Sequence, residues 1–222
     1  MNSLLKSRYQ TWQRLAFFNS PAWTSVFAHV MGTLASPIYQ WAGKFVAPDW
    51  EQAKSVADVG CGNAIFIRHL VSRTKCAPKT IHLLDQSANQ LRAGSRNIAN
   101  ISASHPDTHT HVATAEHIPL ASASCDLVIS TGSINLWQPP EKGLAECVRI
   151  LKPGGTLWVF DQRPCTDVAD VTAALFRQRI FGLGLPGYTQ NEIMYFAKGL
   201  PLSLIQCVED RSLYGLQWRK DG

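Results

Sequence analysis

Two glycines and two aspartates form the most informative pattern in the chain. The run Asp58-Val59-Gly60-Cys61-Gly62-Asn63 follows an apolar segment, and Asp85 ends the next apolar segment. Glycines at 60 and 62 let the backbone turn tightly and approach a ligand closely. The helix predicted to follow presents the N–H groups of its first turn at the same place. Because a carboxylate at position 85 can accept hydrogen bonds from both hydroxyls of a ribose, the pattern predicts a nucleoside-binding site.

The spacing of the glycines separates two kinds of nucleoside cofactor. A dinucleotide-binding turn has a third glycine, which would fall where this chain has Ile65. The carboxylate of Asp58 would repel a pyrophosphate, whereas it suits the cationic head of an amino acid. The turn therefore favours S-adenosyl-L-methionine (SAM) over NAD.

Short β-rich runs alternate with helical stretches, which is typical of an α/β fold with a parallel sheet. The pattern predicts strands near 55–59, 80–84, 109–113, 125–130 and 155–161, and helices near 63–73, 87–99 and 140–151. For the tail it predicts a helix over 189–198 and strands over 202–208 and 212–218, joined by Glu209-Asp210-Arg211. We expect Lys152-Pro153-Gly154-Gly155 to end a helix and turn the chain into the fifth strand.

Composition describes an ordinary globular chain. The 222 residues are 45% apolar and 17% charged, with a net charge of +5 that is too small to indicate a nucleic-acid binder by itself. The six cysteines contain no C-x-x-C pair, and the crowded histidines 105, 109, 111 and 117 lack a recognisable ligand spacing, so we expect no metal site. Together with a start that lacks a signal-peptide pattern, free cysteines predict a reducing, cytoplasmic location.

The first 50 residues differ from the rest. They hold 10 of the 21 aromatic residues, and residues 15–43 contain no Asp, Glu, Lys or Arg. Polar and proline residues interrupt this span, so it predicts two or three short helices, broken near Pro21 and Pro37, and not a transmembrane helix. These helices either pack on the main domain or form a cap that closes over an apolar substrate or touches a membrane. A second apolar segment, residues 176–188, either packs in the core or forms a wall of the acceptor pocket.

On these motifs the chain resembles the class I SAM-dependent methyltransferases. Within that class it is similar to small-molecule and lipid methyltransferases of the ubiquinone/menaquinone type. The resemblance implies a Rossmann-like, mostly parallel seven-stranded sheet of order 3-2-1-4-5-7-6, with strand 7 antiparallel. It also implies an N-terminal helical cap over residues 1–50 and a SAM-binding methyltransferase domain over residues 51–222. The matching stretches are 58–63, 84–87, 115–120, 125–137 and 151–155.

The resemblance assigns roles to individual cofactor-binding positions. Those at the first turn would hold the methionine end, Asp85 would grip the ribose, and Gln86 would lie against the adenine. Positions 114–116 would border the adenine edge, and the tip of the fourth strand would face the sulfonium and the acceptor. The full set is Asp58, Gly60, Cys61, Gly62, Asp85, Gln86, Thr114, Ala115, Glu116, Ser130 and Thr131.

Two departures from the family pattern affect the expected chemistry. Thr114 stands where many members have an aspartate for the adenine amino group, and a threonine hydroxyl or a backbone carbonyl would have to replace it. Several relatives carry a histidine pair where this chain has Asn135-Leu136, which removes an obvious general base. His117 and Asn135 are the catalytic candidates that remain. We therefore expect catalysis mainly by positioning, on an acidic phenol, a thiol or a stabilised carbanion.

The expected function is methyl transfer from SAM to a small, lipophilic acceptor by direct displacement, with S-adenosyl-L-homocysteine (SAH) as the product. Basic residues near the N-terminus would allow peripheral contact with a membrane. A DNA base is not the expected target, because Ser130-Thr131-Gly132-Ser133 lacks the motif of enzymes that methylate planar amino groups. Two alternatives stay open, a SAM-binding regulatory or partner protein without catalysis and an RNA-directed methyltransferase.

Overall fold

The computed structural model describes residues 36–99, 106–164, 187–210 and 213–222. Most of the predicted N-terminal cap and of the 176–188 segment lies outside these residues, so those predictions stay predictions. Five helices and seven strands are formed by the described residues. In chain order they are α1 (Ser36–Gln52), β1 (Ser55–Val59), α2 (Ile65–Arg73), β2 (Thr80–Asp85), α3 (Ala88–Ala99), β3 (Asp107–Val112), β4 (Cys125–Thr131), α4 (Pro140–Ile150), β5 (Leu151–Gln162), α5 (Gln190–Phe196), β6 (Leu202–Asp210) and β7 (Leu213–Lys220), with a 3₁₀ turn at Ile134–Leu136.

The strands form one sheet in the order β3-β2-β1-β4-β5-β7-β6. Strands β1 to β5 pair in parallel, and β7 runs antiparallel to both β5 and β6. The expected strand order and the antiparallel seventh strand are confirmed. Because β1, β2, β4 and β5 are parallel neighbours, their carboxyl ends meet at one edge of the sheet, and ligands bind there in open α/β sheets.

Several predicted boundaries differ from the structure in the second half of the chain, and two of them change which residues belong to a strand or to a connection. Strand β5 begins at Leu151, which pairs with Cys125, and Pro153-Gly154-Gly155 lies in an irregularity inside the strand instead of before it. The backbone there needs glycine, because Gly154 has φ of +75° and a Cβ on Gly155 would lie 3.0 Å from the Asp126 carbonyl oxygen. Strand β6 extends to Asp210, so Glu209 and Asp210 belong to the strand and not to the connection.

Helix α1 is attached to the sheet by its apolar face and by one carboxylate. Its residues Ala42, Val46 and Trp50 are fully buried. The carboxylate of Asp49 accepts hydrogen bonds from Trp158 Nε1 on β5 and Gln217 Nε2 on β7, both at 2.8 Å. The described part of the N-terminal segment therefore packs on the main domain. Within the described ranges no helix has both the length and the apolar character needed to cross a bilayer.

Apolar residues cover the sheet on both faces. On one face, α1, α2 and α3 pack through residues such as Phe66, Leu91 and Trp158. On the other face, α4 and α5 pack through residues such as Leu144, Ile193 and Leu216. The five cysteines among the described residues are free thiols. Helices on both faces leave the ends of the strands as the place where polar side chains can meet a ligand.

Candidate active site

The turn after β1 has the geometry that its glycines predict. Gly60 has φ of +75° and Gly62 has φ of +52°. The N–H groups of Gly60 and Cys61 both donate to the carbonyl of Leu84 on β2, at 2.8 and 3.0 Å. A Cβ on Gly60 would overlap the Ser133 hydroxyl, whereas a Cβ on Gly62 would meet nothing within 4 Å. Gly60 is therefore required both by its backbone conformation and by the close approach of the segment after β4.

Asp85 is held in a fixed orientation by two backbone donors. Its Oδ2 accepts from the N–H of Gly62 and its Oδ1 from the N–H of Ser87, at 2.9 and 2.8 Å. Burial raises the pKa of this carboxyl, and these two hydrogen bonds oppose the rise. Each carboxylate oxygen keeps a second lone pair, so Asp85 can accept from two hydroxyl groups without moving.

Asp58 is a buried carboxyl group with nothing to bind it among the described residues. Its side chain is fully buried, and neither carboxylate oxygen has a hydrogen-bond partner there. Burial, and secondarily the charge of Asp85, raises its pKa to about 8. Tyr39 of α1 lies close enough that the charge of Asp58, after burial, helps to raise the pKa of its phenol to about 12. Since buried polar groups are nearly always paired, Asp58 marks a place for a cationic donor.

The segment after β4 connects the turn of β1 to the carboxyl end of β5. The Ser133 hydroxyl donates to the carbonyl of Val59 at 3.0 Å and receives the indole N–H of Trp137 at 3.2 Å. It also lies 2.8 Å from the hydroxyl of Ser130, which is fully buried. The Ser130 hydroxyl is thus part of a network that fixes this segment, and the half-buried Thr131 follows it.

The predicted adenine edge lies beside β2, but the acidic residue of that segment, Glu116, contacts the segment before α4. The N–H of Ala113 donates to the carbonyl of Asp85 at 3.0 Å, which places the half-buried Thr114 next to the ribose position. Glu116 is buried and its carboxylate accepts the backbone N–H of Gln138. The Glu116 side chain therefore connects the loop after β3 to the start of α4.

The two catalytic candidates occupy different environments. His117 is exposed, and its Nε2 lies 2.8 Å from the ammonium group of Lys142. Asn135 is half-buried in the 3₁₀ turn, and its backbone N–H donates to the carboxyl group of Asp161. Of the two, only Asn135 lies in the segment that contacts both the β1 turn and β5.

Histidines of the β2–β3 edge pair with one another. His82 Nδ1 lies 3.1 Å from His111 Nε2, and the ring of His82 stacks on that of His109. Among the described residues there is no group of three or more His, Cys, Asp or Glu side chains arranged to hold a metal.

Comparison with known proteins shows a family match for the part of the chain that contains this site. The methyltransferase domain family matches residues 57–159. A 2-methyl-6-phytyl-1,4-hydroquinone methyltransferase of Spinacia oleracea is 32% identical over 102 residues, 45% of this chain and 27% of that protein. A malonyl-[acyl-carrier protein] O-methyltransferase of Marinomonas is 32% identical over 125 residues, 56% of this chain and 44% of that protein. The chain thus spans less than half the length of these relatives.

A solved structure gives the same fold. A SAM-dependent methyltransferase from Aquifex aeolicus superposes with a TM-score of 0.59 at 15% identity, over 75% of this chain and 82% of that one. Residues 57–159 thus match a methyltransferase domain family, and the chain has the fold of a solved SAM-dependent methyltransferase. The family resemblance expected from the sequence motifs is confirmed, and SAM is the cofactor that this domain implies.

The residues of the methyltransferase domain fit that cofactor. SAM carries an α-amino cation, a carboxylate, a sulfonium and a ribose with two hydroxyls. Asp58 offers an unpaired buried carboxylate for the cation, and Asp85 offers oriented acceptors for the hydroxyls. Burial, then the charges of Asp58 and Asp85, raises the pKa of the Cys61 thiol, which keeps it protonated and unsuited to act as a nucleophile.

Sequence reasoning missed two polar residues that folding brings to the carboxyl edge of the sheet. Ser133 has no chemical signal of its own, since its importance comes from contacts with Val59 and Trp137. Asp161 ends a predicted apolar strand, and an acidic residue at the carboxyl end of a parallel strand could have identified it.

Proposed function

We propose that this chain transfers the methyl group of SAM to a small, lipophilic acceptor, releasing SAH. The observation that carries the proposal is the buried, unpartnered carboxyl group of Asp58 beside the glycine turn, with Asp85 already oriented by two backbone donors. The carboxylate of Asp58 can bind a buried cation, and the carboxylate of Asp85 can accept hydrogen bonds from two hydroxyl groups. These two acceptors match the amino cation and the ribose hydroxyls of the cofactor.

Methyl transfer from SAM requires little of the protein beyond positioning the acceptor. SAM supplies a methyl group on a positively charged sulfur, and displacement needs an acceptor aligned behind that carbon with water excluded. The Ser130–Ser133–Trp137 network fixes the segment that would face the acceptor. A rigid segment preserves alignment, and preserved alignment is the main catalytic contribution that we assign to it.

The character of the acceptor is inferred from the aromatic residues of α1 and β5. Trp41 is half-buried and packs edge-on against Phe160, with ring centroids 5.8 Å apart. Phe160 is buried near the carboxyl end of β5 on the α1 face of the sheet, whereas Asp161 points to the other face. Apolar surface with a few polar groups is typical of small-molecule sites, and the half-buried Trp41 supplies apolar surface near this edge. The name of one relative contains a hydroquinone with a phytyl chain, which is also a lipophilic small molecule.

Two measurements test the proposal in order. Calorimetry with SAH tests the cofactor site, and chromatography then measures conversion of SAM to SAH with two acceptors, a prenylated 1,4-hydroquinone and a malonyl thioester. We expect SAH to bind and the hydroquinone to be methylated. Binding without turnover of either acceptor would support a SAM-binding protein without catalysis, and transfer only to the malonyl thioester would contradict the lipophilic acceptor.

A further inference from the structure

Asp161 is a second buried carboxyl group at the carboxyl edge of the sheet, and the cofactor does not account for it. Its side chain is 5% exposed, and its Oδ2 has no hydrogen-bond partner among the described residues. Its Oδ1 accepts the N–H of Gln162 at 2.7 Å. A buried carboxylate oxygen without a donor is costly, so this atom is expected to have a partner in the working complex.

The contacts of Asp161 link it to the turn that would hold the cofactor. The N–H of Asn135 donates to its carboxyl group, and the N–H of Gly132 donates to the carbonyl of the preceding Phe160 at 2.8 Å. The same short segment contains Ser133, which contacts the β1 turn through Val59. One rigid stretch of four residues therefore connects the cofactor turn with the carboxyl group of Asp161.

The neighbours of Asp161 leave it able to exchange a proton near neutral pH. Burial raises its pKa to about 7, and the two backbone donors oppose that rise. The titratable group that faces it from the described part of β7 is Tyr214, which is its partner in the strand register. The Tyr214 hydroxyl donates to the carbonyl of Tyr188 at 2.7 Å, and burial and the charge of Asp161 raise its pKa, so it stays protonated.

We propose that Asp161 binds a hydroxyl group of the methyl acceptor through Oδ2 and takes its proton as the methyl group is transferred. The acceptor O–H bond breaks and its proton goes to Asp161, while the oxygen electron pair forms the new bond to the methyl carbon. The carbon–sulfur bond breaks and its electron pair stays on sulfur. A sulfonium and a carboxylate become a neutral thioether and a neutral carboxyl group, so the reaction neutralises one pair of opposite charges in the site. This inference rests on the proposed methyltransferase function and adds the proton acceptor that the sequence motifs lack.

The first test measures the protonation of the Asp161 carboxyl group without turnover. In SAH-loaded protein with ¹³C-labelled aspartate carboxyl groups, NMR should show one carboxyl titrating near neutral pH, because the bound amino cation keeps Asp58 ionised. That signal should vanish in Asp161→Asn and remain in Asp126→Asn, whose carboxylate is paired with Lys152 at the opposite end of β4. A wild-type protein in which the Asp161 carboxyl titrates below pH 5 would overturn the inference.

The second test measures transfer to a prenylated 1,4-hydroquinone. Asp161→Asn should lower kcat by about 10²- to 10⁴-fold, as loss of a general base does, and should abolish the rise of kcat with pH across neutrality. SAH affinity should stay unchanged, and Asp161→Glu should restore a pH-dependent rate. A kcat in Asp161→Asn close to that of wild type would overturn the inference. A wild type that binds SAH and does not methylate the hydroquinone would contradict the proposed lipophilic acceptor, and the NMR titration alone would then decide the role of Asp161. Failure of the wild type to bind SAH would instead overturn the proposed function.

Discussion

Cofactor binding should depend on pH through Asp58, because the unliganded protein holds this carboxyl group mostly protonated at neutral pH. Its pKa is raised to about 8, chiefly by burial. A cationic amino group binds the carboxylate form and not the neutral acid. Lowering the pH below 8 therefore removes the form that binds, and affinity must fall as the solution becomes more acidic.

The size of the effect follows from two titrations. We take a pKa of about 8 for Asp58 and ~8 for the α-amino group of the ligand. The fraction of pairs with an ionised carboxyl and a protonated amine then falls from about a quarter at pH 8 to about one hundredth at pH 6. SAH affinity should consequently drop by roughly 25-fold between these values, most of it below pH 7. At pH 7 binding should release about 0.8 proton, since the two free groups carry about 1.8 protons and the complex carries one.

Isothermal titration calorimetry in phosphate and in imidazole buffer at each pH measures both quantities. Asp58→Asn should weaken binding at pH 8 by ~10- to 100-fold, through loss of a charged hydrogen bond worth ~1.5–3 kcal/mol, and should remove the proton release. Asp85→Asn is the matched control, because it weakens binding and keeps most of the pH dependence, since burial is the main cause of the raised pKa of Asp58. A wild-type affinity that varies less than threefold from pH 6 to 8, with no buffer-dependent heat, would refute the assignment of Asp58.

The same carboxyl group predicts an opposite trend for the unliganded fold. Its pKa is raised above that of the unfolded chain, so its stabilising effect is complete below the unfolded value near 4 and is lost as pH rises through the folded value of about 8. Unliganded Asp58→Asn should therefore gain stability over wild type at high pH, by ~3 kcal/mol at pH 8.5 relative to pH 5.5. Urea unfolding at the two pH values measures this, and a constant difference between the two proteins would contradict it.

Three further predictions concern the rest of the site and its support. Asp85→Ala should lower SAH affinity by ~10- to 100-fold because it removes acceptors for two ribose hydroxyls, and unchanged affinity by calorimetry would exclude the ribose role. Gly60→Ala should destabilise the fold more than Gly62→Ala in urea unfolding, since both positions need positive φ, at ~1–2 kcal/mol, but only the first meets another side chain. Asp49→Ala should lower the free energy of unfolding by ~2–5 kcal/mol, because it leaves two buried N–H donors unpaired. Asp49→Asn retains one acceptor and should lower it less. Equal losses in the two variants would show that hydrogen bonding is not the cause.

Local sequence determined the cofactor turn and the α/β class of the fold. A glycine turn and the alternation of apolar runs with helical stretches depend on neighbouring residues. The glycines at 60 and 62, and the aspartate that ends the next apolar run 25 residues after Gly60, can therefore be recognised in the sequence. The turn conformation and the position of Asp85 were predicted from these residues, and the structure has both. The strand order was predicted from the family resemblance, and the structure has it too. Boundaries failed where long-range pairing decides, as at Leu151, which joins β5 because Cys125 lies opposite it.

Tertiary structure alone decided which polar groups have partners. Asp49 meets donors more than 100 residues away, Ser133 reaches Val59 across 74 residues, and Asp161 meets the N–H of Asn135 on a separate segment. No periodicity or motif records such contacts, because they depend on how strands and loops meet in space. The chemistry of Asp58 and Asp161 follows from the same cause: a carboxyl group becomes a site when folding removes its water and supplies no other partner, and only the packed structure shows where that has happened.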